Sequence, residues 1–192
     1  MNGLGKVAVG VLLVLLAACQ DKAAIKTVHD GKALKMGMFV DGKLSGLGLI
    51  ADETQQIDSL GSWKAGVIDG LGLRTNKIYT DIGEFTNGAM NGKGIKKSRT
   101  GDVYLGNFVA DNYQGKGVLY YANGRTYSGT FNNNAPDGLG IMQYTNGNVY
   151  IGQFKNGIAE GTGVLLLADG KRLVGKFAND EASATAKLYD HW

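Results

Sequence analysis

The sequence predicts an all-β protein: an elongated, single-layer, twisted array of antiparallel β-hairpins in about seven repeats. Three observations predict it. A glycine-spaced unit of about 23 residues recurs in register, most clearly from Tyr104 (Y-L-G-N-F), Tyr127 (Y-S-G-T-F) and Tyr150 (Y-I-G-Q-F). One column holds all the phenylalanines, Phe39, Phe85, Phe108, Phe131, Phe154 and Phe177, with Trp63 filling the remaining place. Two turn columns fall in each unit, and two turns require two strands.

The first strand of each unit carries the Tyr-x-Gly-x-Phe pattern. Side chains alternate along an extended chain, so Tyr104, Gly106 and Phe108 share one face, as do Tyr127, Gly129, Phe131 and Tyr150, Gly152, Phe154. The Phe and Trp column is expected to form the core between neighbouring units. Three residues after each of these aromatics stands Gly42, Gly66, Gly88, Asp111, Asn134, Gly157 or Asp180, residue types that tolerate positive φ and mark the first turn. The second strand is expected to begin at a Gly-x-Gly pair, such as Gly115 with Gly117 or Gly138 with Gly140. It continues into Leu49, Leu73, Ile95, Val118, Ile141 or Val164. Pro136 is expected between strands, where it removes no ladder hydrogen bond. The second turn holds Gly101, Asn123-Gly124, Asn146-Gly147 and Asp169-Gly170; Asn-Gly and Asp-Gly between apolar runs are strong hairpin signals.

On this register the repeats run 34–56, 57–78, 79–101, 102–124, 125–147, 148–170 and 171–192, within one repeat domain of residues 25–192, and fourteen short strands are expected. The first units lack the leading tyrosine and offer Met36-Gly37, Leu60-Gly61 and Ile82-Gly83 instead. At the other end Ala184-Thr185-Ala186 stands where Gly-x-Gly would, so the last strand is expected to keep the frame and act as a cap.

These columns resemble the MORN repeat (membrane occupation and recognition nexus), best from Tyr104 to Gly170 and more loosely over residues 31 to 189. The resemblance implies a binding or scaffolding surface for a protein partner, and secondarily a phospholipid-binding surface. The residues before the repeats carry a second resemblance. Lys6, the apolar run Val7 to Ala18 and then Leu16-Ala17-Ala18-Cys19 look like a bacterial lipoprotein signal peptide (residues 1–18) ending in a lipobox. That likeness implies acylation of Cys19, a lipidated tether over residues 19–24 and attachment to the cell envelope. Gln20 in the next position implies the outer membrane, facing the periplasm.

The chain carries 20 basic and 17 acidic side chains, a balance without the broad positive footprint that nucleic acid demands, so no nucleic-acid partner is expected. Cys19 is the only cysteine, which excludes an internal disulfide. Catalytic parts are scarce. His29 and His191 lie at opposite ends of the array and share neither a metal nor an acid–base pair. The Gly-x-Gly strings recur in every repeat, lack Gly-Lys-Ser/Thr and precede strands, which removes a phosphate loop. Asp81, Glu84, Asp102, Asp111 and Asp137 are scattered without metal-site or carboxylate-pair spacing. A non-enzymatic chain with no cofactor and no metal site is therefore expected.

Two groups of residues each admit two readings. Lys93, Lys96, Lys97 and Arg99 form a basic run that either keeps an outward strand soluble or meets anionic headgroups or an acidic partner. Tyr104, Tyr127 and Tyr150, with a second row at Tyr121 and Tyr144, either stack between repeats or line a groove for an extended peptide, a glycan or a lipid tail.

Overall fold

A computed structural model describes residues 25–52 and 56–190. The expected signal peptide, Cys19, the tether up to residue 24 and His191 lie outside the described residues. The chain divides into two compact units, Met1–Met90 and Asn91–Trp192.

The all-β antiparallel hairpin array expected from the sequence is present in both units as an open sheet. In the first unit the strand order follows the chain: β1 (Lys26–Asp30), β2 (Ala33–Val40), β3 (Lys43–Ala51), β4 (Ile57–Lys64), β5 (Val67–Thr75) and β6 (Tyr79–Thr86). The second unit takes most of β7 (Ala89–Ser98) and then β8 (Val103–Val109), β9 (Asn112–Tyr120), β10 (Thr126–Asn132), β11 (Ala135–Gln143), β12 (Val149–Lys155), β13 (Ile158–Leu166), β14 (Arg172–Ala178), β15 (Glu181–Ala182) and β16 (Lys187–Tyr189).

The register puts one glycine of each strand opposite one of the next. In the first unit Gly37, Gly48, Gly61, Gly72 and Gly83 form such a ladder. In the second it runs Gly94, Gly106, Gly117, Gly129, Gly140, Gly152, Gly163 and Gly175. The room is used by tyrosine rings. A Cβ at Gly117 would meet Tyr104 Oη at 2.5 Å and Tyr104 Cε2 at 2.6 Å. Each ring thus lies flat on the ladder of its own hairpin, and its hydroxyl donates to a carbonyl three residues on: Tyr104 to Asn107 at 3.0 Å, Tyr127 to Thr130 at 3.0 Å, Tyr150 to Gln153 at 3.2 Å.

The phenylalanines close this layer from both sides. Tyr104 meets its own Phe108 edge-on at 5.1 Å and Phe131 of the next repeat at 4.9 Å, and the same pairing links Tyr127 to Phe131 and Phe154 and Tyr150 to Phe154 and Phe177. These T-shaped contacts make an inter-repeat zipper. In the first unit the tyrosine column reads Lys35, Ser59 and Asp81, and aliphatic side chains fill the space: a Cβ at Gly48 would meet Leu44 Cδ2 at 2.9 Å. Asp81 is buried and paired with Arg74 at 2.6 Å, while Arg74 also donates to Gly88 O and lies over the Phe85 ring. A charge so buried needs both an ion partner and hydrogen bonds, and Arg74 supplies both to Oδ2, from Nε at 3.1 Å and Nη2 at 2.6 Å.

Repeats are also stapled at their first turns. The turn residues Asn133 and Asn134 have φ of 47° and 71°, and Asn87-Gly88 and Asn156-Gly157 repeat the pattern. Two successive left-handed residues are the primed turn that suits a twisted hairpin. The amide at the first turn residue donates to an oxygen of the preceding repeat: Asn87 to Asp69, Asn133 to Gln114, Asn156 to Asp137 and Asn179 to Glu160, at 3.0, 3.1, 3.4 and 3.3 Å. Acidic residues that look scattered along the sequence therefore hold turns.

Several expectations need correction. The second strands begin at the turn, not at Gly-x-Gly, which sits mid-strand over the ladder. Pro136 consequently lies inside β11, opposite Phe131 and next to a register shift, where a strand tolerates the missing N–H. An additional strand, β1, precedes the first expected hairpin. Phe39 is only half-buried, in contrast to Trp63 and the other phenylalanines. The expected last strand is broken into β15 and β16 by a turn in which Ala186 N donates to Ser183 O at 2.9 Å. Ala186 still occupies the ladder place, with its Cα 2.6 Å from where a Gly175 Cβ would sit.

Burial of the tyrosines makes a pH prediction. Desolvation by burial pushes the Tyr104 and Tyr127 phenols up to about 12. In the unfolded chain they ionise near 10, so the folded state holds its proton where the unfolded state has lost it. Stability is expected to be fully present below pH 10 and to fall as pH rises towards 12. Alkaline melts with phenolate absorbance as a second probe check this; normal ionisation of both phenols in the folded protein would contradict it.

Candidate functional site

The described residues hold no group of three or more His, Cys, Asp or Glu side chains able to bind a metal ion, and no helix long and apolar enough to cross a membrane. His29 sits exposed on β1. The site must therefore be sought on the two faces of the sheet.

One face carries the glycine ladder and the aromatics. Tyr104, Tyr127 and Tyr150 are 0 %, 0 % and 1 % exposed, so they form no open rim for a peptide, glycan or lipid, although Tyr150 contributes to the wall of a cavity beside Tyr144. The groove reading of these three is corrected: each ring is spent on its own glycine ladder and on the next phenylalanine. Tyr121 and Tyr144, of the second row, remain half-buried at the second turns. Arg125 lays its guanidinium 4.9 Å from the centre of the Tyr121 ring. A cavity of about 260 Å³ opens beside them, lined by Arg125, Met142, Tyr144, Leu165, Phe177 and Asp180 among others. Burial, reinforced by the nearby Asp180 charge, pushes the Tyr144 phenol up, and Arg125 opposes that shift.

The opposite face carries a second ladder. In the second unit Ile95, Leu105 and Val118 pair across β7, β8 and β9, and Ile141, Ile151, Val164 and Val174 pair across β11 to β14; Ser128 stands between the two runs. Ile95, Leu105, Ile141 and Ile151 are 38, 38, 40 and 42 % exposed, enough for a partner to reach them. Exposed lysines flank the ladder, Lys97 on one side and Lys93, Lys116 and Lys176 on the other. Neither the ladder nor the rows on either side of it hold an acidic residue in β7 to β14. In the first unit the start of the corresponding row is closed, Leu49 and Ala51 being buried against Met36, Leu47 and Leu60, whereas Ile82 further along it is exposed.

The basic run is split by strand alternation. Lys93 and Lys97 point to the ladder face, and Arg99 follows as an exposed residue in the turn. Lys96 points to the aromatic face, opposite Tyr104, with its ammonium 5.9 Å from the Phe108 ring centre. A single contact patch of all four is thus ruled out, because successive residues of a strand face opposite ways. Lys116 and Lys176, more than 15 residues away along the chain, join Lys93 and Lys97 through register alone. Arg125 and Asp180 were equally hidden in sequence: Asp180 reads as a turn residue, and Arg125 belongs to no repeated column of one residue type.

A search of curated proteins found no match to the chain. The MORN repeat, whose family is typically a non-enzymatic protein- or membrane-binding module, matches at residues 36–50, 60–77, 82–103, 104–124, 127–149 and 150–172. Six copies span more than half of the chain in the same frame as the glycine ladder and aromatic zipper, and the chain belongs to the MORN-repeat family.

Proposed function

We propose that the protein is a non-enzymatic envelope lipoprotein, anchored through acylated Cys19, whose repeats dock a protein partner on the ladder face of the second unit. The observation that carries this reading is the exposed aliphatic ladder flanked by Lys93, Lys97, Lys116 and Lys176, in rows of β7 to β14 that hold no acidic residue. Such a face repels a second copy of itself and suits an acidic amphipathic segment, whose apolar side covers the ladder while its carboxylates meet the lysines. Acylation at Cys19, with Gln20 following, places the module on the outer membrane, facing the periplasm. No catalytic step is part of this reading.

The test is affinity capture from solubilised envelope with the Cys19→Ser protein, which removes the lipid from the question. A partner retained at low salt is expected to be lost in Lys93→Glu/Lys97→Glu and weakened at high salt, each lysine being worth about 0.2–1 kcal/mol at a rim. Capture unchanged by the charge reversal would overturn the assignment of the face.

A second reading, direct phospholipid binding, is favoured by the exposed cations Lys93, Lys97 and Arg99 around Ile95. Flotation of the same Cys19→Ser protein with phosphatidylglycerol vesicles, lost on Lys93→Glu/Lys97→Glu, would select it over a protein partner.

A further inference from the structure

The cavity on the aromatic face is distinct from the docking ladder and has its own chemistry. Arg125 and Tyr144 come from the second-turn end of their hairpins, and Asp180 from the first-turn end of another. The cavity therefore draws its lining from both ends of the hairpins on the aromatic face. Its floor is apolar, made by Met142, Leu165 and Phe177. Its charged groups are opposed, one guanidinium and one carboxylate, with the Tyr144 phenol that both of them influence; Asn146, Asn148 and Tyr150 complete the polar lining.

Arg125 is the informative member. Its Nε is buried and has no hydrogen-bond partner among the described residues, although a buried donor normally finds one. The Tyr121 ring holds the guanidinium plane in place. Asp180, by contrast, is fixed from behind: its Oδ1 accepts the Ala159 amide at 2.7 Å. A preoriented guanidinium with an unused donor is suited to a carboxylate, which it grips with two parallel hydrogen bonds. At about 260 Å³ the space is slightly below that of a drug-sized pocket and suits a single residue with an apolar body.

We propose that this cavity binds an apolar residue bearing a free α-carboxylate, with the carboxylate on Arg125, the side chain on Met142, Leu165 and Phe177, and the α-nitrogen towards Asp180. Two sources supply that chemistry, a free amino acid and the C-terminal residue of a peptide. They differ at the nitrogen, which is an ammonium in the first and a neutral amide in the second. Asp180 favours the ammonium, whereas Arg125 is indifferent to the source.

Isothermal titration with three probe series tests this: the free amino acids leucine, methionine and phenylalanine, their N-acetyl derivatives, and their carboxamides, which lack the carboxylate. Saturable binding is expected for at least one carboxylate-bearing series, with the matching carboxamide at least about tenfold weaker. Arg125→Gln is expected to erase the preference for carboxylate over carboxamide, and Arg125→Lys to restore only part of it because the fork is lost. Preference for the free amino acid that is removed by Asp180→Asn assigns the site to amino acids; preference for the N-acetyl form, unaffected by that change, assigns it to peptide C-termini. Circular dichroism melts of each variant confirm that the fold is intact. No saturable binding in any series, equal binding of carboxylate and carboxamide, or an unaltered preference in folded Arg125→Gln overturns the proposal.

Discussion

Phe131→Ala is expected to destabilise the protein by about 3–5 kcal/mol, a large part of the stability of an ordinary domain. The ring is 3 % exposed and stands between two repeats, meeting Tyr104 at 4.9 Å and Tyr127 at 5.0 Å. Burying an aromatic of about 150–250 Å² corresponds to roughly 4–6 kcal/mol of gross transfer energy, an upper bound because the denatured chain hides some surface. Truncation also leaves a cavity between two tyrosines that are themselves pinned on the glycine ladder, so neighbouring repeats cannot collapse to fill it. Urea unfolding measures the loss. A change below about 1 kcal/mol would remove Phe131 from the core and with it the zipper between repeats.

Gly117→Ala should cost about 3 kcal/mol, the upper part of the range for overpacking. Gly117 has an ordinary backbone conformation, so its cost is steric: the new methyl would meet Oη, Cε2 and Cζ of Tyr104 within 2.6 Å. Tyr104 has nowhere to go. It is fully buried, and Tyr113 stacks on it at 3.8 Å with planes 9° apart. Gly157→Ala is the control. There φ is 86° and the nearest atom, Pro136 Cδ, is 3.8 Å away, so only the left-handed backbone is penalised, by about 1–2 kcal/mol. In a double-mutant cycle with Tyr104→Leu the Gly117→Ala penalty should shrink, because the clashing ring is gone. An equal penalty in both backgrounds would show that the ring does not depend on the missing side chain.

The sequence makes the repeat unit, the two turns and the aromatic column legible because each rests on residue types with a strong local preference. Asn-Gly turns and a phenylalanine at a fixed spacing need no tertiary knowledge. Ala65 and Ala110, both left-handed, are invisible by the same logic: alanine does not announce positive φ, and only their place in the turn imposes it. The staples at Asp69, Gln114, Asp137 and Glu160 escape for another reason. They share an oxygen at the right height, not a residue type.

Function was less legible than fold, since it depends on what register assembles from distant positions. Lys96 and Lys97 are neighbours in the chain and lie on opposite faces, whereas Lys97 and Lys176 share a face. The three tyrosines looked available as a rim because alternation assigns a face without saying what covers it. The next repeat's phenylalanine covers each of them. Arg125 stands where the other late repeats have Asp102, Asn148 and Lys171, a departure whose meaning emerges only when the Tyr121 ring and the cavity are in view.

The central claim is that one register of about 23 residues is one interchangeable structural unit, with its own glycine ladder, tyrosine and phenylalanine. Deleting residues 127–149 joins Thr126 to Tyr150 and so puts one complete repeat in place of another, whereas deleting 127–137 joins Thr126 to Gly138 and removes a tyrosine, a phenylalanine and a turn while keeping half a hairpin. Thermal unfolding of the two proteins side by side measures the difference. The whole-unit deletion is expected to keep a cooperative transition and native β-sheet circular dichroism, and the partial deletion to lose both; equal loss in the two would contradict the register from which every site described for this protein is built.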